Sequence, residues 1–262
     1  MTEALLVKND SDILEIRFNR PERKNAISRD MFEKMLHELE KNILDNNLKA
    51  IFLEGTGDCF CAGGDVKDMA AREDYSTLPE KTENLKRLMQ ISNILYNATV
   101  PTVAVINGIA AGAGFALSLA CDFRISTELG KFTTAFSKVG FSGDFGITYF
   151  LSKIVGISKA KELLFFSDII DANEAHKLGI VNYLIDAKNK EDFIQQMKNK
   201  IKSQAPIAIK FMKKNFRNLE LGILEKSLEY EALYQMICSE TQDHKNAVEA
   251  FVKKEKVVFR GK

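Results

Sequence analysis

Three short segments carry residue types suited to chemistry. The first, Asp58-Cys-Phe-Cys-Ala-Gly-Gly-Asp65-Val-Lys, places two adjacent glycines just after an apolar run. Gly63 and Gly64 allow the backbone to approach a ligand and aim N–H groups at it, although an ordinary tight turn uses the same pair. The second, Asn107-Gly-Ile-Ala-Ala-Gly-Ala-Gly114, lies between an apolar run and the small apolar stretch 115–120. The first N–H groups of a helix have no intrahelical partner and carry partial positive charge, which suits a developing oxyanion. Close packing of a helix on a strand calls for the same small residues. The third, Lys138-Val-Gly-Phe-Ser-Gly-Asp144-Phe-Gly, sets one carboxylate among aromatic rings. Asp144 is either a general base or the N-cap of the helix that follows.

Other chemistries find less support. None of His37, His176 and His244 neighbours a Ser or Cys motif, and Gly-Phe-Ser142-Gly departs from G-x-S-x-G. Neither glycine segment matches a dinucleotide fingerprint or a P-loop. Cys59-x-Cys61 has no second pair and no nearby His, so no metal site is expected, and the cysteines read as free thiols in a reducing compartment. Lys plus Arg is 37 and Asp plus Glu is 36, a balance that argues against a nucleic-acid partner. No run of 18 apolar residues predicts a membrane span and the first residues do not read as a secretory signal, so a cytoplasmic protein is expected.

The elements that must position these segments alternate. Strands are predicted at 13–18, 49–53, 102–106, 121–126 and 181–185. Helices are predicted at 29–45 behind a Ser28 cap, at 83–97, 115–120, 146–155 and 158–167, and after Asp171. Residues 55–64 read as a loop and 68–82 as a charged connecting stretch. From 190 onward the pattern is amphipathic helix broken at Pro206. Strands alternating with helices imply an α/β fold with parallel pairing. The chain divides into a core over 1–195 and a helical region over 196–262, assigned to oligomerisation and to covering the active site.

Taken together, the segments resemble the enoyl-CoA hydratase/isomerase (crotonase) family. The likeness begins at Asn19-Arg-Pro-Glu-Arg-Lys-Asn25-Ala. It continues through Phe60-Cys-Ala-Gly-Gly-Asp65-Val, Pro101-Thr-Val-Ala-Val-Ile-Asn-Gly108, Gly112-Ala-Gly114 and Ala120-Cys-Asp122, and ends at Ala250-Phe251 and Phe259-Arg-Gly261. The resemblance implies a ββα spiral core with a helical C-terminal subdomain, a homotrimer or dimer of trimers, and an acyl-CoA thioester substrate. Coenzyme A then enters as part of the substrate, with no separate cofactor. By position, Gly64 and Ala113 supply the two N–H groups of an oxyanion hole. Arg23, Lys24, Ala26, Ala62, Gly63, Asp65 and Val66 contact CoA, with Arg23 and Lys24 directed at its phosphates. Lys254 reaches CoA in a neighbouring subunit. For each basic residue a solvated surface charge is the alternative.

The chain also departs from the family's hydratases. Where these carry two glutamates that hold and activate water, this sequence has Ala116 and Phe136. In branches that include dienoyl- and ring-type acyl-CoA isomerases and aromatic dehalogenases, an aspartate at the place of Asp144 does chemistry. The resemblance therefore implies an enoyl-CoA double-bond isomerase with Asp144 as its single base. A hydratase is the alternative; dehalogenation or decarboxylation of a CoA thioester stands behind it. From another class, a CoA-thioester-binding scaffold without turnover remains open.

Overall fold

Apolar runs that are buried from end to end build the centre of the molecule. In the computed structural model, which describes residues 3–10, 12–71, 75–219, 224–253 and 255–262, ten strands form two sheets. The strands are β1 (Leu5–Asp10), β2 (Ile13–Phe18), β3 (Ala50–Gly55), β4 (Cys59–Cys61), β5 (Thr102–Ile106), β6 (Ile109–Ala111), β7 (Phe123–Thr127), β8 (Lys131–Thr133), β9 (Ile170–Asp171) and β10 (Tyr183–Ile185). The larger sheet runs β1-β2-β3-β5-β7-β10 and the smaller runs β4-β6-β8-β9. Every residue of β3 and β5 is buried, as expected for parallel strands covered on both faces. Ile51 pairs with Thr102, and Val103 with Phe123, in parallel register; β1 and β2 are antiparallel.

The helices are α1 (Arg29–Asn42), α2 (Val66–Ala71), α3 (Leu78–Leu88), α4 (Gln90–Asn97), α5 (Gly112–Ala120), α6 (Ile147–Phe166), α7 (Ala172–Lys177), α8 (Lys190–Lys202), α9 (Pro206–Asn218), α10 (Leu224–Ser239) and α11 (Gln242–Lys253). A strand of the large sheet leads into a strand of the small one and then into a helix, as β3-β4-α2, β5-β6-α5 and β7-β8-α6. Each ββα unit therefore delivers one turn to the same edge of the small sheet. All nine residues of α5 are buried, so its apolar character on every side reflects packing on every side. The end of α5 is tied down by Arg124, a fully buried guanidinium that donates to the carbonyls of Cys121 (2.6 Å), Ser118 (3.3 Å) and Ile180, and to Asn182 Oδ1 (3.1 Å).

The structure departs from the sequence reading in several places. Strands β4, β6 and β8 are three residues each, too short for a period-two pattern; β4 and β6 occupy segments that read as loop and glycine-rich turn, and β8 a stretch for which no element is predicted. The connecting stretch 68–82 contains most of α2 and the start of α3. Thr77 and Glu80 form a full capping box there, with the Thr77 side chain accepting from the Glu80 N–H and the Glu80 side chain from that of Thr77. The helix expected over 83–97 is two, breaking at Met89. Gly156, at φ 76, kinks α6 between its two predicted halves.

The chain divides into two compact units, Met1–Ala98 with Thr102–Asp192, and Thr99–Pro101 with Phe193–Lys262. The second unit holds nearly all of α8 and the whole of α9, α10 and α11. Within it the buried Asp243 carboxylate accepts the Arg260 and Gly261 N–H groups at 2.8 and 2.7 Å, fixing the last residues. Phe211 and Tyr234 stack at 4.5 Å.

Candidate active site

Two backbone turns of the first unit meet at the edge of the small sheet. One follows β4 and carries Gly63 and Gly64. A short parallel bridge holds it to Ile27, whose N–H donates to the Gly63 carbonyl (2.8 Å) and whose carbonyl accepts the Asp65 N–H (3.1 Å). Between these bonds the Gly64 N–H has no acceptor among the described residues. The other turn follows β6 and opens α5, with Ala113 as the second helical residue, so its N–H has no carbonyl four residues back. The two turns pack too closely for side chains. Gly63 has φ +91, and a Cβ there would lie 2.9 Å from the Ala111 carbonyl oxygen. A Cβ on Gly114 would come within 2.6 Å of the Cys61 Cβ and Sγ atoms. Gly64 and Ala113 both line a cavity of about 380 Å³.

Asp144 lines the same cavity from the turn before α6. Its neighbours Gly143, Phe145 and Gly146 all have positive φ, at 107, 48 and 81. The N-cap of α6 is Gly146, and no side chain caps it, so Asp144 is not the cap. Asp144 Oδ1 is buried without a hydrogen-bond partner. Burial raises the Asp144 carboxyl to a pKa of about 6, because removal from water penalises the ionised form. Phe136, Phe141 and Phe145 line the cavity with it, and Phe145 stacks on Phe32 at 4.8 Å and 14°. The arrangement combines unpaired N–H donors and one basic carboxylate around an apolar space. Such a site can draw a proton from carbon and hold the charge that results.

The model of a family described as enoyl-CoA hydratase/isomerase matches residues 8–262. The chain belongs to the enoyl-CoA hydratase/isomerase family. It is 28% identical to the 1,2-epoxyphenylacetyl-CoA isomerase of Escherichia coli (strain K12) over the full length of both chains. It is 27% identical to the short-chain-enoyl-CoA hydratase of Clostridium acetobutylicum, across 97% of this chain and 96% of the relative. The crystal structure of an enoyl-CoA hydratase from Bacillus anthracis superposes with a TM-score of 0.91 at 27% identity, covering 99% of this chain and all of the other. The architecture is the crotonase fold, and the protein is an enzyme of this family.

The positions that the family resemblance assigns to CoA separate in the structure. Ala62, Gly63, Asp65 and Val66 line the cavity; Arg23, Lys24 and Ala26 do not. The N–H groups of Ala62 and Asp65 are taken by the carbonyls of Lys24 (3.0 Å) and Ile27 (3.1 Å), so neither amide is open to a ligand. The Asp65 side chain is buried between Arg20 (2.9 Å) and Arg23 (3.3 Å). Burial alone would raise its pKa, but the Asp68 N–H and these guanidiniums outweigh that and hold it below the ordinary carboxylate value. Arg23 is thus paired as well as half-exposed, and Lys24 is exposed at φ 51. Lys254 lies outside the described residues.

Of the two family glutamate positions, Phe136 is on the cavity wall, while Ala116 is fully buried in α5 and does not line it. Sequence reasoning missed Phe32, Lys81, Asn84, Leu85 and Leu88, which α1 and α3 bring to the cavity. Their helical spacing marks a face, but the same spacing serves core and pocket alike. Among the described residues no group of His, Cys, Asp or Glu is placed to hold a metal ion. The cysteines are free. Burial raises Cys59 to about 11 and Cys61 to about 12, which leaves both as unreactive thiols. No helix among the described residues is long and apolar enough to cross a membrane.

Proposed function

We propose that the protein is an enoyl-CoA isomerase that moves a carbon–carbon double bond relative to the thioester. The observation that carries this reading is Asp144, a half-buried carboxylate whose Oδ1 is buried without a partner, on the wall that Gly64 and Ala113 also line. In this reading the thioester oxygen lies between the N–H groups of residues 64 and 113. Asp144 removes a proton from the carbon next to the thioester or from the carbon beyond the double bond. The electrons move onto the thioester oxygen as an enolate, and the two amides stabilise it; one such donor is worth about 3–4 kcal/mol at the transition state. The protonated Asp144 then returns the proton at the other carbon. Mass is conserved, and neither bound water nor a second acid takes part. Phe136, at one of the family's glutamate positions, supports this choice, because a phenyl ring neither holds water nor transfers a proton.

Coenzyme A enters as part of the substrate, with its adenine end held by the backbone of Ala62, Asp65 and Val66. A homotrimer or dimer of trimers in the cytoplasm belongs to the same reading, with the second unit at the subunit contacts. A hydratase is the second reading, supported by the hydratase names among relatives of comparable identity. A panel of enoyl-CoA thioesters followed by mass spectrometry decides between them. An unchanged mass with a displaced double bond supports the isomerase, and gain of one water supports the hydratase. Binding of the thioesters with no turnover on any of them would overturn both.

A further inference from the structure

We propose that Ser92, on α4 and outside the cavity wall, is a positioning residue that sets the direction of Asp144 through the main chain of Phe145. The inference rests on Asp144 being the base. No protein group holds the Asp144 Oδ1 atom, so the backbone that carries the carboxylate must fix its direction. That backbone is an unusual one. Gly143, Phe145 and Gly146 are all left-handed, and a left-handed phenylalanine persists only where its surroundings over-determine it.

Two contacts do so. The Phe145 ring, almost wholly buried, stacks on Phe32. The Phe145 carbonyl accepts the Ser92 hydroxyl at 2.8 Å, in a fully buried bond. Because Phe145 precedes the N-cap Gly146, its carbonyl stands before the hydrogen-bond ladder of α6. Without Ser92 it would be a buried acceptor in need of a partner, and the peptide joining residues 145 and 146 would turn to find one. A serine within a helix commonly bonds a carbonyl of its own preceding turn. Ser92 instead reaches 53 residues along the chain, to the residue next to the base. Ser92 does not itself line the cavity, so its effect must travel through the turn.

The test uses the full-length protein and a 3-enoyl-CoA that the wild type isomerises. Ser92→Ala is expected to lower kcat on the order of 10- to 100-fold, the cost of misplacing a catalytic group by about 1 Å. KM should stay within about threefold, since substrate binding is not the property affected. The acidic limb of the kcat/KM profile should move below its wild-type position as the carboxylate swings toward water. Ser92→Thr, which keeps the hydroxyl, should restore most of kcat. Ser92→Cys, nearly isosteric and a weak donor, should fall in between, and it serves if the alanine variant does not fold. Ser92→Ala combined with Asp144→Asn should be no slower than Asp144→Asn alone.

Wild-type kcat and an unmoved pH profile in Ser92→Ala, beside an inactive Asp144→Asn, would overturn the positioning role and leave the base intact. A lower melting temperature with unchanged kcat per folded molecule would overturn it equally. An active Asp144→Asn would instead overturn the base assignment itself.

Discussion

Gly63 stands against the amide nitrogen of Ala113: a Cβ added to Gly63 would lie 3.4 Å from that nitrogen. The two turns are therefore in contact through bare backbone, and the space between Gly64 and Ala113 depends on the absence of a methyl group at 63. Gly63→Ala adds that methyl at φ +91 and drives it to 2.9 Å from the Ala111 carbonyl. The expected result is a loss of kcat/KM on the order of 100-fold or more, comparable with losing one oxyanion donor. Stability should fall by more than about 1 kcal/mol, the usual scale for alanine at an incompatible backbone angle. Steady-state kinetics and urea unfolding check the two parts separately.

In the proposed mechanism Asp144→Asn removes the base and nearly preserves the shape of the site. Isomerisation is expected to fall by about 10²- to 10⁴-fold, the range for one positioned acid–base group. Affinity for a CoA thioester, measured by titration calorimetry, should be close to wild type.

The pH dependence of the wild type follows from the same carboxylate. A base must be ionised to accept a proton, and the Asp144 pKa is raised to about 6. The rate should rise with pH through about 6, level off above it, and lose this limb in Asp144→Asn. Solvent deuterium should enter the carbon next to the thioester along the same profile. No exchange with any accepted acyl-CoA at pH 8 would remove the enolate from the mechanism.

Stability should change in the opposite sense. The Asp144 carboxyl ionises near pH 4 in the unfolded chain and near 6 in the folded one. Between these values the folded state holds the extra proton, so the contribution of this group to stability falls as pH rises. Above about 6 the full cost is present, on the order of 3 kcal/mol. Asp144→Asn is expected to be more stable than wild type at pH 7, with the advantage shrinking to nothing below about pH 4. Denaturant melts at pH 4 and pH 7 measure it.

Arg124 provides a test of the scaffold. Its guanidinium is buried among carbonyls, and burial lowers its pKa. Arg124→Met removes the charge and leaves several carbonyls without donors. A loss of about 3 kcal/mol or more is expected from such orphaned groups. Because Arg124 anchors the far end of the helix that carries Ala113 in its first turn, activity should fail together with folding on a temperature ramp.

Much of this arrangement is legible in the residues. Strands β3 and β5 declare themselves as continuous apolar runs, and α5 as a stretch without a polar face. The small sheet is not legible, because Cys59–Cys61, Ile109–Ala111 and Lys131–Thr133 are too short to alternate, and the first two sit in segments whose glycines and cysteines signal a turn. The start of α3 hides in a charged stretch, although the Thr77–Glu80 spacing is a cap signature in plain sight. In the site, Gly63, Gly64, Ala113 and Asp144 stand out by type and spacing. The wall they share does not, since Phe32 and α3 are brought to the cavity from distant parts of the chain. Ser92 leaves no trace in the sequence at all: one serine in a helix is unremarkable until its hydroxyl is seen to point at Phe145.

Helix α3 lines the cavity yet fully buries none of its own side chains. A wall of this kind forfeits little apolar burial when it moves. The part of the wall built on the Phe32–Phe145 stack has a packed interior to lose. In the proposed isomerase, tolerance for longer or bulkier acyl tails is therefore expected on the α3 side, and discrimination on the phenylalanine side. Anyone wishing to retune the enzyme's selectivity should leave the first alone and rebuild the second.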